Sequence, residues 1–228
     1  MHVDRRALLL VACLLGPLAG VARAQAGGSV VDTLHNLSVS GPGEIRAATE
    51  QQVCKFCHVP HTAVVPAPLW GHSLSGVAAY AVPDVKETGR VVRPAPQPDG
   101  SSRLCLSCHD GTVALGDMGR NGNVAMSGSQ RLLPGRPGFI GTDLSGSHPI
   151  SIPMPATDPG ADDGSDVGLL PLEALAGDHD VKLDKDGKIQ CTTCHDPHSD
   201  RYYVPGRVPR FWVKSTVDDV CLTCHQLR

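Results

Sequence analysis

The sequence predicts a mostly irregular, loop-rich chain with short α-helices and a small β-hairpin, folded around something other than its own side chains. Its 228 residues include 25 Gly and 19 Pro, and both residue types interrupt long regular elements. Aromatics make up only 4%, so little large apolar surface is present to offset the entropy of ordering the backbone. A third observation indicates what supplies the missing surface: Cys-x-x-Cys-His occurs four times.

The four copies are Cys54-Lys-Phe-Cys57-His58, Cys105-Leu-Ser-Cys108-His109, Cys191-Thr-Thr-Cys194-His195 and Cys221-Leu-Thr-Cys224-His225. This is the attachment signature of c-type haem. On one helical turn, positions i, i+3 and i+4 share a face. Both thiols thus reach the two vinyl groups of one porphyrin edge while the histidine points at the iron. A zinc ribbon, a redox dithiol or a disulfide pair needs no histidine at the fifth position. With 11 His in the chain, four out of four by chance has odds of roughly 10⁻⁵. The expectation is four covalently bound haem c groups and a haem-packed multihaem cytochrome c. Eight of the nine cysteines lie in these motifs, which leaves none for a disulfide framework.

Residues 1–24 read as a signal peptide, with Arg5 and Arg6 first, an apolar stretch from Ala7 to Leu18, and Ala22-Arg23-Ala24 as cleavage site. The apolar stretch falls short of the roughly 20 residues a bilayer span needs. Around Cys13 it also resembles a lipoprotein box, but apolar sequence continues beyond the cysteine. Cleavage near Ala24, with no retained membrane anchor, is the reading taken. Residues 25–228 then form one tetrahaem domain, exported to the periplasm or the extracellular space, since c-type haem is attached outside the cytoplasm. The formal charge of −3 becomes more acidic once the arginines of the leader are removed. No basic patch points to nucleic acid.

Along the mature chain, Gln25 to Gly43 is a polar lead-in containing His35, and Glu44 to Cys57 predicts a short helix. The Pro-rich residues 62–100 predict an extended wrap. Ser101 or Ser102 is expected to cap the turn carrying Cys105 to His109. Asp110 to Gly146 is Gly-rich loop, followed by Ser147-His148-Pro149. Asp158 to Asp180, with Asp162, Asp163 and Asp166, reads as a solvated acidic loop. It lacks the residue order of an EF-hand calcium site. Asp186-Gly187 signals a hairpin turn within Val181 to Cys191. Ser215-Thr-Val-Asp218 opens the last helix.

His58, His109, His195 and His225 are the proximal ligands. Six other histidines remain after residue 24, enough to close every iron with a second imidazole. His61 and His198 follow their motifs by three residues with proline just before them, so the chain leaves the helical turn there. Each is thereby carried away from its own haem and towards a neighbouring one. His148 precedes proline, and His35 sits on an arm that a ligand bond would anchor. His72 and His179 are reserves. Met118, Met126 and Met154 lie in loop-like sequence and are read as incidental. Two histidine ligands lack the potential-raising effect of an axial methionine, so low potentials are expected.

The run from His35 to His225 resembles multihaem cytochromes of the cytochrome c3-like, doubled-CxxCH type. The residues that carry the resemblance are His35-Asn36-Leu37-Ser38, Cys54 to His61, Pro68-Leu69-Trp70, Cys105 to Ala114, His148-Pro149-Ile150, Cys191 to His198 and Cys221 to His225. It is similar in particular to tetrahaem cytochromes that polymerise into extracellular nanowire filaments. The resemblance implies bis-histidine haems stacked in a continuous chain, with a ligand able to cross between subunits. It implies electron transport to redox partner proteins or extracellular acceptors rather than an enzyme, with self-association into filaments. Two other readings are a multihaem reductase with one open haem site and a membrane-anchored quinol dehydrogenase subunit. The first needs an iron position left free, the second an uncleaved anchor.

Overall fold

The computed structural model describes residues 28–87, 91–156 and 167–227. The signal segment, Cys13, Asp158, Asp162, Asp163 and Asp166 lie outside these. Regular structure is sparse, as the composition demands. The longest element is α1 (Gly100–His109). It is followed by the single turn α2 (Cys191–Cys194) and by α3 (Val217–Cys224). Among the described residues, eight short strands make four separate antiparallel pairs. They are β1 (Arg46–Ala47) with β4 (Met126–Ser127), β2 (Asp84–Glu87) with β3 (Val91–Pro94), β5 (Ile152–Pro153) with β7 (Lys188–Ile189), and β6 (Val167–Leu169) with β8 (His225–Leu227).

Several local expectations are corrected. The predicted helix from Glu44 to Cys57 is instead strand β1 followed by a 3-10 turn over Val53–Phe56. The Pro-rich wrap holds the β2–β3 pair, because its prolines fall at the strand margin, where no ladder N–H is needed. Asp186-Gly187 does form a turn, with Gly187 at φ 71 donating to Asp184. The strand that leaves it, however, pairs with Ile152–Pro153 rather than with its neighbour in sequence. The residue at the start of α1 is Asp99, not Ser101 or Ser102. Thr216 caps α3 as its side chain accepts from Asp219 N at 3.1 Å. Asp218 and Asp219 in the first turn complement the helix dipole. The three methionines are core residues: Met118, Met126 and Met154 are all buried.

Among the described residues, the apolar core is divided into three small clusters, two of which take in motif cysteines. Ala47, Phe56, Leu115, Met118 and Met126 pack with Cys57 and Cys108. Met154, Leu175, Val181, Ile189, Val213 and Val220 pack with Cys194 and Cys224. The first cluster therefore joins motifs one and two, and the second joins motifs three and four.

A polar knot joins the two halves. Gln190, 1% exposed, accepts from Ser102 Oγ at 2.5 Å and from Ser151 Oγ at 3.3 Å. Its amide donates to Asp99 Oδ1 and Asp184 Oδ2, each at 2.9 Å. Ser102 Oγ accepts from Cys191 N at 3.0 Å, and Lys188 pairs with Asp99. One side chain thus holds α1, α2 and the loop after His148 in register. Gln190→Leu should strand several buried partners and lower stability by about 2–4 kcal/mol, read as a fall in the denaturant midpoint of the mature protein.

Candidate functional site

The first and third motifs are built alike. After Cys57-His58, the chain returns through Pro68-Leu69-Trp70; after Cys194-His195, it returns through Arg210-Phe211-Trp212. Trp70 bridges His58, and Trp212 bridges His195. Val59 N donates to Leu69 O and Asp196 N to Phe211 O. Gly71 N donates to Cys57 O and Val213 N to Cys194 O. Each tryptophan lies edge-on to its histidine, with ring centroids 6.2 Å and 5.0 Å apart. The middle residue has a left-handed backbone in both, with Leu69 and Phe211 each at φ 63. A bulky residue there costs roughly 1–3 kcal/mol and persists only where its surroundings enforce it. The sequence signal for this repeat is x-apolar-Trp following each CHxPH, and its second copy, Arg210-Phe211-Trp212, was not among the residues that carry the resemblance.

The imidazoles are oriented by backbone carbonyls. His58 Nδ1 bonds Pro68 O at 2.8 Å, His109 Nδ1 bonds Gly138 O at 2.6 Å, and His195 Nδ1 bonds Arg210 O at 3.1 Å. Outside the motifs, His35 Nδ1 bonds Pro197 O at 3.1 Å and His148 Nδ1 bonds Pro149 O at 2.9 Å. His198 Nδ1 stands 3.4 Å from Asp196 Oδ1. A carbonyl only accepts, so each neutral ring carries its proton on Nδ1 and keeps a bare lone pair on Nε2. That is the tautomer a metal-ligating histidine needs. Gly138 is essential to one of these bonds: at φ 85, an added Cβ would also come within 3.3 Å of His109 Cε1. Burial, then the charge of His109, lowers His35 to about 4. Burial lowers His195 as well. Both are therefore neutral, as ligation requires.

Three histidine pairs face each other across similar gaps. Ring centroids are 5.9 Å apart for His35 and His109, 6.1 Å for His58 and His198, and 6.2 Å for His148 and His225. Two imidazoles bound through Nε2 to opposite sides of one metal, at about 2 Å per bond, have centroids about 6 Å apart. The residues present fit bis-imidazole ligation. His198 stands against the first motif's histidine, not against that of its own motif. His61 is exposed, and among the described residues no histidine ring stands at this spacing from His195.

The thiols are grouped too. Burial raises Cys57 to about 11 and Cys108 to about 12. The Cys105 thiol lies beside that of Cys191, which pushes Cys105 up and Cys191 down. Together with the two apolar clusters, these contacts bring motif one to two, two to three, and three to four. Among the described residues, no three His, Cys, Asp or Glu side chains converge on a metal-sized site, so the cysteines are not gathered as a zinc ribbon gathers them.

Of the two reserves, His72 is fully buried with both nitrogens against protein groups. Nδ1 meets Ser73 O at 2.8 Å, while Nε2 meets Ala114 O at 3.1 Å and Cys108 Sγ at 3.6 Å. Both nitrogens are thereby enclosed by this chain's own groups. His179 lines a cavity of about 300 Å³ with His195, Lys182, Arg201 and Trp212.

A protein-family model described as the doubled CXXCH motif matches residues 184–227, which hold the third and fourth motifs. No curated protein matches the chain. The family match supports a multihaem c-type cytochrome, with covalently bound haem and electron transport as its business. Such cytochromes are typically exported, and among the described residues no helix is long and apolar enough to cross a membrane.

The geometry separates His72 from the other histidines in a testable way. His72→Leu should remove its bonds and destabilise the protein by about 1–3 kcal/mol, read as a lower denaturant midpoint. The visible spectrum of the haem-loaded protein should stay that of the parent.

Proposed function

We propose that the chain is an exported tetrahaem c-type cytochrome, carrying electrons through closely spaced bis-histidine haems, and that copies of it join head to tail. The haem supplies reversible one-electron chemistry at its iron; the chain supplies attachment, orientation and spacing. Cys54 with Cys57, Cys105 with Cys108, Cys191 with Cys194 and Cys221 with Cys224 are the attachment pairs. The proposed iron-ligating pairs are His58 with His198, His109 with His35, and His225 with His148. The observation that carries this reading is the common spacing of the three ring pairs, about 6 Å, with Nδ1 held by a carbonyl in most of their members.

The crossing of His198 to His58 ties attachment site three to site one. His61 occupies in the first module the place that His198 occupies in the third. By the same construction its partner is a His195, and a second copy of the chain provides one. A contact that repeats from copy to copy without closing yields a filament. The exposed side chains Val64 and Leu69, 36% and 47% accessible, flank His61 and suit such a contact. The outer partners would be redox proteins or extracellular acceptors. With every iron closed by two imidazoles, no position is left for a substrate, so the chain acts as a carrier and not as an enzyme.

The unpaired His195 also favours a second reading, a multihaem reductase with one open haem. One experiment separates the two. Carbon monoxide should fail to bind the assembled protein rapidly, whereas His61→Ala should shift it to monomers that bind about one equivalent. Rapid binding by unaltered, assembled protein would establish the open site instead. The haem count has its own check. The denatured mature protein should have the intact mass of the chain from residue 25 plus four haems, and three or fewer would refute the tetrahaem assignment.

A further inference from the structure

Phe211 has a contact that its module does not explain. The flat face of its ring lies on the His35 imidazole, with centroids 4.0 Å apart and planes 13° from parallel. Leu69, its counterpart in the first module, has the same backbone angle but stands 47% exposed. The left-handed conformation is therefore set by the module. The aromatic ring and its burial are particular to the third copy.

The placement of Phe211 is braced from both sides. Its N–H donates to Asp200 Oδ1 at 2.7 Å, and its carbonyl accepts from Asp196 N at 2.7 Å. Asp200, buried at 9%, is held in turn by Arg210, whose guanidinium lies over Tyr203. A fixed aromatic face against a flat imidazole resists rotation of that ring about its ligand bond. The Nδ1 bond to Pro197 O restrains the same rotation. The His35 plane is thereby held 68° from that of His109. The His148 and His225 planes are 74° apart, but those of His58 and His198 are only 15° apart.

We infer that Phe211 is a positioning residue that sets the imidazole plane of His35, and through it the electronic state of the haem attached at Cys105 and Cys108. This rests on the ligand pairing of His35 with His109. The angle between two axial imidazole planes governs how the iron d orbitals split. Near-perpendicular planes give strongly anisotropic low-spin resonances, and near-parallel planes give rhombic ones. Nothing in this role involves touching a substrate; Phe211 acts through His35.

The test is low-temperature electron paramagnetic resonance of the oxidised, fully haem-loaded protein, with potentiometric titration alongside. The parent should show strongly anisotropic signals from the two near-perpendicular pairs and a rhombic signal from the His58 pair. Phe211→Gly keeps a backbone suited to φ 63 and removes the ring. One strongly anisotropic signal should move or broaden towards rhombic, and one haem potential should shift while the others hold. Phe211→Tyr, which keeps the aromatic face, should restore the parent spectrum. Phe211→Leu, which keeps bulk without a flat face, should behave as Phe211→Gly does. Unchanged resonances in the Gly and Leu variants would overturn the inference and leave the ligand pairing standing. A parent spectrum with a high-spin haem at Cys105 and Cys108 would remove the pairing itself, and the inference with it.

Discussion

The constraint on which the structure most depends is the burial of a single amide, Gln190, at the centre of a polar network. Its oxygen and nitrogen together engage five protein groups, drawn from α1, the loop after His148 and the turn before β7. A buried polar network is stabilising only when complete, so this one either forms with all its members in place or is worse than an apolar filling. Its position, directly before Cys191, makes the completeness matter chemically. The thiols of motifs two and three take their relative placement from it. Two apolar clusters each join a pair of motifs, and this network lies between them.

The strongest local signals could be read from the chain because their chemistry is local. Two thiols and an imidazole within five residues need no distant partner to be recognised, and neither does the Thr216 cap of α3. The exit of the chain after His195 was also legible, since the proline at 197 denies Asp196 a helical backbone. What could not be read depends on encounters between distant backbone atoms. The carbonyls of Pro68, Gly138 and Arg210, which orient three motif histidines, carry no side-chain signature. Neither does the pairing of Lys188–Ile189 with Ile152–Pro153, although the turn beside it was evident. Nothing in the sequence marked Met118, Met126 and Met154, expected to be incidental to ligation, as residues that would be buried in the core. They fold inward because so few larger side chains exist to fill the interior.

The repeated module explains how a chain with little regular structure holds its histidines firmly. In each copy the carbonyl before a left-handed residue bonds Nδ1, the residue itself reverses the chain, and the following tryptophan packs against the ring. Three successive residues thus fix the position, rotation and tautomer of one imidazole. No helix or sheet is required. The strain at Leu69 and Phe211 accompanies this compactness, since a relaxed backbone would need more residues to turn the carbonyl and the indole towards the same ring.

The pairing of His58 with His198, and of His35 with His109, has a consequence for how the molecule comes into being. The earliest motif finds its facing ring near the end of the chain, and the His35 side chain bonds a carbonyl 162 residues away. Contacts of such long sequence separation form late and slowly, because a large loop must close before they contribute. An emerging chain reaches its first facing histidine pair only when His109 has joined His35, and its second only when residue 198 arrives. The molecule is therefore an ordered sequence of closures in which the first cysteines to emerge wait longest for their opposing imidazole.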